Sequence, residues 1–147
     1  MKPECINEMT LRFPSRSANE AFARAAAAAF IAQLDPTVEQ IYDIKTAVSE
    51  AVTNAIVHGY PDRIGMITLR VRLFSPAAAQ IVIRDCGCGI ADIRQAREPL
   101  FTTGGADRSG MGFTIMESFM DKLSVRSKPG KGTCVTLLKQ LSQRKQS

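Results

Sequence analysis

Glu50 and Asn54 are the first pair of polar side chains along the chain that could take part together in a reaction. They lie four positions apart in a segment with helical periodicity, so their side chains project from one face about one turn apart. A carboxylate and a carboxamide placed there could act together on one metal-bound ligand. The same spacing is also typical of a solvated helix face, because charged residues usually stay outside. On this pair alone, both interpretations are open.

A glycine-rich turn follows at the end of a strand-like run, where Asp85 precedes Gly87 and Gly89. The carboxylate could accept a hydrogen bond from an exocyclic amine such as that of adenine. Glycines lack the Cβ atoms that would keep a planar ring away from the backbone. An ordinary strand-to-loop turn is the alternative, since glycine commonly punctuates loops.

A second pair of glycines, Gly110 and Gly112, opens a helix predicted to run to about Asp121. Backbone N–H groups at a helix start bind anions, and the helix dipole favours negative charge there. This is the natural phosphate site, although it is neither a Walker A loop nor a complete dinucleotide fingerprint. Residues 98–109, between the two turns, are rich in Gly, Thr and Ser, which is typical of a mobile flap or of a plain connector.

Two helices are predicted ahead of these turns. The helix carrying Glu50 is predicted to begin with Asp35 as its N-cap and Pro36 at its first position, and to stop at Gly59. An earlier helix is predicted to begin at Ser17, with Glu20 completing a capping box. Its predicted buried stripe consists of Phe22, Ala26, Ala29, Phe30 and Leu34. Glu20 and Arg24 fall on its polar side, where Arg24 is either solvated or a partner contact.

Alternating apolar residues predict strands over residues 9–13, 67–73 and 80–84, and a closing hairpin around residues 123–125 and 135–137. The strands over 67–73 and 80–84 most simply pair as an antiparallel hairpin. Thr133 begins the last strand, where its hydroxyl could buttress a base-binding carboxylate or simply reflect β propensity.

The composition is that of a globular protein that folds as one domain, with 147 residues, 45% hydrophobic and 22% charged. No apolar run reaches membrane-spanning length, and the first residues lack the layout of a signal peptide, so we expect a cytoplasmic protein. The number and spacing of the four cysteines and the single histidine do not fit a zinc site, which favours reduced thiols.

The net charge of +5 could indicate nucleic acid as a partner. Aromatic residues are few, Trp is absent, and no basic block is interleaved with stacking residues. Nucleic-acid binding is therefore the weaker explanation, and a basic surface that meets an acidic protein partner fits at least as well.

In their order, these elements resemble the N, G1 and G2 boxes of the ATPase family shared by gyrase, Hsp90, histidine kinases and MutL. More narrowly, the chain is similar to the anti-sigma-factor serine kinases of endospore-forming bacteria. The stretches that carry the resemblance are residues 30–37, 49–56, 99–103 and 108–117.

The resemblance implies a Bergerat-type α/β sandwich, in which a mixed, mostly antiparallel sheet is covered by helices on one face. It implies a single domain over residues 1–147 with a short polar tail from about 142. The implied activity is that of an ATP-dependent protein serine/threonine kinase, which binds and inhibits sporulation sigma factor F and phosphorylates a serine of an anti-anti-sigma factor. A cytoplasmic homodimer with no direct contact to nucleic acid or membrane is expected.

By the same resemblance, Glu50 is the catalytic base, Asn54 binds Mg²⁺ and Asp85 holds the adenine amino group. The remaining ATP-binding residues it implies are Gly87, Gly89, Thr102, Thr103, Arg108, Ser109, Gly110, Met111, Gly112 and Thr133. Two departures from the family pattern are the cysteines flanking Gly87 and the short flap with its own pair of glycines. Open alternatives are a stress-response sigma factor as the target, an ATP-gated binding module without a kinase step, and an unrelated basic module that binds nucleic acid.

Overall fold

The computed structural model describes residues 4–97 and 109–141. Its elements, in chain order, are β1 (Cys5–Pro14), α1 (Ala18–Ile31) with a 3₁₀ turn (Ala32–Leu34), α2 (Val38–Asn54) with a π-helical extension (Ala55–Gly59), β2 (Met66–Phe74), β3 (Ala78–Asp85), α3 (Ile93–Ala96), α4 (Ser109–Phe119), β4 (Lys122–Lys128) and β5 (Gly132–Gln140). Within these residues, no helix is both long and apolar enough to cross a membrane.

The five strands form one sheet in the order β1-β2-β3-β5-β4, and every pair of neighbours among them is antiparallel. Alternate residues of β2, from Ile67 to Leu73, are buried against the helices, while the residues between them face the other way. One hydrophobic core, including Ile44, Ile81 and Met116, joins the helices to this face of the sheet. The predicted sandwich with helices on one face is confirmed.

The start of α2 differs from the prediction. Thr37 is the N-cap: its hydroxyl accepts the Gln40 N–H at 3.1 Å, and the Gln40 side chain accepts the Thr37 N–H at 2.9 Å. This capping box satisfies two N–H groups that would otherwise lack partners. Asp35 instead ends the 3₁₀ turn in a left-handed conformation, with φ of 54°. The predicted Asp35 cap was therefore wrong by two residues.

The predicted capping box and buried stripe of α1 were also wrong. Ser17 makes no side-chain cap, because its backbone is helical, with φ of −57° and ψ of −32°, whereas an N-cap residue is normally extended. The Glu20 carboxylate accepts the Ser49 hydroxyl on α2 at 2.7 Å and does not complete a capping box. The fully buried side chains of α1 are Ala23, Ala27 and Ile31, and Phe22 is 56% exposed. Alanines let α1 and α2 approach closely, whereas a phenylalanine at the seam would hold them apart. Of the predicted stripe, Phe30 and Leu34 do pack partly buried against the core.

Tyr60 pins the loop after α2 to the end of β3. Its hydroxyl donates to the Met66 carbonyl and accepts the Cys86 N–H, both at 2.7 Å. The ring is 6% exposed, and a Cβ on Gly65 would overlap it. The Arg63 guanidinium lies over the ring, 5.5 Å from its centroid. This clamp fixes the backbone immediately after Asp85.

We expect Tyr60→Phe to destabilise the fold by about 1–2 kcal/mol, because it leaves the Cys86 N–H and the Met66 carbonyl without this partner. The urea midpoint should fall with little change in the denaturant slope. Tyr42→Phe is the matched control, since the Tyr42 ring is 63% exposed. Equal losses in the two variants would show that the Tyr60 hydroxyl does not stabilise the loop.

Candidate functional site

A cleft of about 360 Å³ opens between the end of α2 and the segment that follows β3. Its walls are mostly apolar and its polar groups are few, the usual make-up of a small-molecule site. The residues that line it are Ala51, Asn54, Ala55, His58, Gly59, Ile83, Asp85, Gly89, Ile90, Ala91, Asp92, Gln95, Ala96, Phe113, Thr133 and Val135.

Asp85 is the buried charged residue of this cleft, 6% exposed at the end of β3. Burial raises the pKa of its carboxyl above the ordinary 3.8, and backbone hydrogen bonds from Gly87 and Thr133 oppose that shift. The Gly87 N–H donates to Oδ1 at 2.9 Å, which fixes the orientation of the carboxylate. A carboxylate held in this way can select a ligand that carries an N–H donor, such as an exocyclic amine.

The end of α2 reaches this carboxylate because the helix widens into a π-helix at Ala55–Gly59. Such π turns occur frequently at functional sites. A Cβ on Gly59 would lie 2.9 Å from the Asp85 carboxylate. His58, the only histidine of the chain, is carried on the same turn to the cleft wall, and burial lowers the pKa of its imidazole.

The glycines after Asp85 serve backbone packing. A Cβ on Gly87 would overlap the Gly59 carbonyl, which also accepts the Cys88 N–H at 2.9 Å. Gly89 has φ of 76° and lies against the Lys128 carbonyl, where a Cβ would clash. Only Gly89 of these two glycines lines the cleft. The sequence predicts instead that both glycines let a planar ring approach the backbone.

Glu50 and Asn54 lie together where the start of α4 crosses α2. A Cβ on Gly112 would stand 3.0 Å from Asn54 Nδ2, 3.3 Å from its Oδ1 and 3.4 Å from Glu50 Oε2. The predicted shared face is thus observed, and α4 approaches it closely because residue 112 has no side chain. Asn54 also lines the cleft, which connects this corner to Asp85.

The other predicted residues divide into three groups. Ser109, Gly110 and Met111 belong to the first turn of α4, but their side chains are outside what the structure describes. Thr102, Thr103, Arg108 and the rest of the predicted flap lie outside the described residues altogether. Arg24 does not line the cleft; its guanidinium lies 3.5 Å from Glu20, which in turn holds Ser49, the residue before Glu50.

Ser127 also belongs to this region, although the sequence does not predict it. Its hydroxyl accepts the Ile90 N–H at 2.7 Å, donates to the Gly132 carbonyl at 2.9 Å and shares a hydrogen bond with the Thr133 hydroxyl at 2.8 Å. The Thr133 hydroxyl therefore supports the cleft wall through Ser127, and it is the Thr133 backbone that bonds to Asp85. A serine alternating with charged residues on β4 gives no sequence signal for such a role.

Comparison with known proteins assigns this chain to a protein family. Residues 13–139 match the family described as the histidine kinase-like ATPase domain, and the chain belongs to that family. A curated relative in Thermoanaerobacter sp. strain X514, named anti-sigma F factor, is 54% identical over 97% of this chain and 99% of its own length. A Bacillus subtilis relative of the same name is 53% identical over 95% of this chain and 96% of its own.

Solved structures agree on the fold. A crystal structure of the RsbU and RsbW domains of a Mycobacterium tuberculosis protein has a TM-score of 0.70 at 20% identity, covering 94% of this chain and 33% of that one. A blue-light activated histidine kinase of Erythrobacter litoralis has a TM-score of 0.59 at 26% identity, covering 82% of this chain and 41% of its own.

The raised pKa of Asp85 predicts a pH dependence of stability. The folded chain binds this proton more tightly than the unfolded chain, so the stabilisation is fully present below about 3.8 and is lost as the pH rises through the folded pKa. We expect wild type to lose stability relative to Asp85→Asn over that rise. Urea unfolding between about pH 3.5 and 7 measures this difference.

Asp62→Asn, in an exposed loop, provides the baseline for removing an acid. A wild-type advantage over Asp85→Asn that grows with pH would contradict the assignment, because it would mean that the fold stabilises the ionised carboxylate.

Proposed function

We propose that this chain is an ATP-dependent protein serine kinase that inhibits sigma factor F and phosphorylates a serine of an anti-anti-sigma factor. The observation that carries the proposal is an apolar cleft lined by both the buried Asp85 carboxylate and Asn54, with Glu50 and Gly112 adjoining Asn54. The names of the 53–54% identical relatives supply the sigma factor as the target.

The cleft fits an adenine nucleotide. Its apolar walls suit a planar base, and Asp85 supplies the acceptor that distinguishes adenine's amino group from a keto oxygen. In this proposal Gly89 and Thr133 lie beside the base, and Gly87 acts by orienting the carboxylate. Guanine would place its keto oxygen, an acceptor, against the Asp85 carboxylate, which is also an acceptor. The proposal therefore predicts selectivity for ATP over GTP.

The corner of Asn54 and Gly112 fits the phosphates and their magnesium ion. Asn54 Oδ1 is a neutral oxygen of the kind Mg²⁺ accepts when phosphates bring most of the negative charge. Backbone N–H groups of Gly110, Met111 and Gly112, at the start of an 11-residue helix, would hold the phosphates. ATP with Mg²⁺, when bound, supplies the transferable phosphoryl group. We assign phosphate contacts also to Ser109 and, from the sequence, to Thr102, Thr103 and Arg108.

In this proposal Glu50 acts on the attacking serine. Phosphoryl transfer needs alignment and charge neutralisation more than covalent help from the protein. The Glu50 carboxylate adjoins the same glycine as Asn54, so it can orient the seryl hydroxyl of a partner and take its proton. Asn54 holds its position one turn further along α2, and Gly112 leaves room for both.

The partner surface we propose is the outer side of α1. Phe22 is 56% exposed there. Arg24 forms an ion pair with Glu20, which accepts a hydrogen bond from Ser49, the residue before Glu50. Aromatic residues and arginine are both enriched at protein–protein interfaces. We further propose that the chain is one domain, acts as a homodimer and works in the cytoplasm.

The test of the kinase step is Glu50→Gln. We expect transfer of phosphate from ATP to the purified anti-anti-sigma factor to fall by about 10²–10⁴-fold, because the general base is lost. Stabilisation by Mg-ATP in thermal unfolding should persist, since a ligand that binds only the folded chain raises its stability. Glu39→Gln, in the first turn of the same helix, is the control.

Full transfer by Glu50→Gln would remove Glu50 from the mechanism. Mg-ATP stabilisation with no phosphoserine, even in wild type, would favour an ATP-gated binding module instead. Failure of Mg-ATP to stabilise wild type, with Asp85→Asn unchanged from wild type, would overturn the nucleotide site itself.

Arg24→Ala tests the partner surface. We expect sigma factor binding to weaken about tenfold or more, as removal of an interface arginine commonly costs over 1 kcal/mol. Mg-ATP stabilisation should be unchanged, because Arg24 does not line the cleft. Arg16→Ala, an exposed arginine just before α1, is the control, and equal effects of the two would refute a specific role. A titration of both variants by calorimetry measures the difference.

A further inference from the structure

The face of the sheet that points away from the helices is strongly basic. Its residues alternate with the buried ones along each strand, and within the described chain no element packs over it. Its charged residues are Glu8, Arg12, Arg70, Arg72, Arg84, Lys122, Arg126 and Lys128. Seven basic residues and one acidic residue (7 − 1) give this face a net charge of +6, whereas the whole chain has a net charge of +5. This face therefore accounts for the basic character of the protein.

Three of these arginines form a straight row across the sheet. Arg12 on β1 pairs with Thr68, and Thr68 pairs with Arg84. Arg84 pairs in turn with Cys134, whose other partner is Arg126 on β4. Neighbouring strands are about 4.8 Å apart, so successive arginines of this arginine row are about 10 Å apart, with a short side chain between each two.

The row differs from the other arginines of the face in having no internal partner. Glu8 accepts hydrogen bonds from Arg70 at 3.0 Å and from Arg72 at 3.2 Å, which offsets charge there and lowers the Glu8 pKa. Arg12, Arg84 and Arg126 are exposed and make no ion pair or side-chain hydrogen bond among the described residues. A shallow hollow of about 370 Å³ lies beside them, lined by Thr10, Thr68, Arg70, Arg72, Gln80, Val82 and Arg84.

We infer that the arginine row docks an acidic segment of a protein partner, with carboxylates about 10 Å apart. Glutamates every seven residues of a helix are about 10.5 Å apart, which matches the row. Guanidinium groups pair with carboxylates through two parallel hydrogen bonds, so spacing as well as charge is recognised. This surface lies on the opposite side of the sheet from the cleft, so the inference is independent of the proposed kinase activity.

Two other occupants fit less well. A second copy stacked on this face would set seven basic side chains against seven, which is repulsive. Single-stranded nucleic acid needs aromatic platforms, and among the described residues of this face the aromatic ring is that of Phe74, at the far end of β2. Duplex DNA, which needs only cations, is kept as an outcome of the test.

The experiment uses the full chain without nucleotide and two labelled alanine-based helical peptides. One peptide carries three glutamates seven residues apart, and the other carries them consecutively. By fluorescence anisotropy, we expect the spaced peptide to bind wild type about tenfold more tightly than the clustered one, with affinity falling as salt rises. The triple variant Arg12→Gln/Arg84→Gln/Arg126→Gln should lose about tenfold for the spaced peptide.

Arg16→Gln/Lys45→Gln/Lys131→Gln removes the same charge away from the row and should change affinity by less than about twofold. The triple Arg→Lys variant of the row keeps the charge and should fall between wild type and the Gln variant, which separates pairing geometry from folding defects. Equal loss in the off-row control, equal binding of the two peptides, no binding, or tighter binding of duplex DNA than of the spaced peptide would each overturn the proposal.

Discussion

The contact between the end of α2 and the turn after β3 is the constraint on which the site depends. Gly59 and Gly87 meet there backbone to backbone, and the Asp85 carboxylate is enclosed beside them. A methyl group at either glycine would have to occupy space already filled by a carbonyl or by the carboxylate. The π turn at the end of α2 sets Gly59 at this contact, so helix geometry, two glycines and one acid form a single packing unit.

Burial of the Asp85 carboxylate lowers the stability of the fold and favours recognition of a ligand. Burial raises its pKa, which means that the fold works against the ionised form at neutral pH. The Gly87 N–H and the backbone of Thr133 offset part of that cost, and both come from segments that Ser127 and Tyr60 hold in place. Each carboxylate oxygen has more than one acceptor site, so an N–H donor on a ligand can add a further hydrogen bond to this fixed acceptor.

Sequence patterns predicted the parts of this arrangement that depend on periodicity. Alternation along β2 and β3 gave both strands and their pairing, and the four-residue spacing placed Glu50 and Asn54 on one face. Patterns failed where a long-range contact overrode a local one. Glu20 had the spacing of a capping box, yet its carboxylate bonds to Ser49, 29 residues away. The α1 stripe was misplaced because hydrophobicity favours Phe22, whereas close helix packing selects alanine. Ser127 acts through three hydrogen bonds that no local pattern encodes.

The two faces of the sheet carry different side chains: residues of the cleft on one face and the basic residues on the other. On β3, Ile83 and Asp85 face the cleft while Arg84, between them, belongs to the arginine row. Because side chains alternate strictly, a substitution on one face leaves the packing on the other nearly unchanged. The basic face can therefore carry a charge pattern that owes nothing to nucleotide binding. Only a shift of strand register would couple the two, and the buried alternation from Ile67 to Leu73 fixes that register.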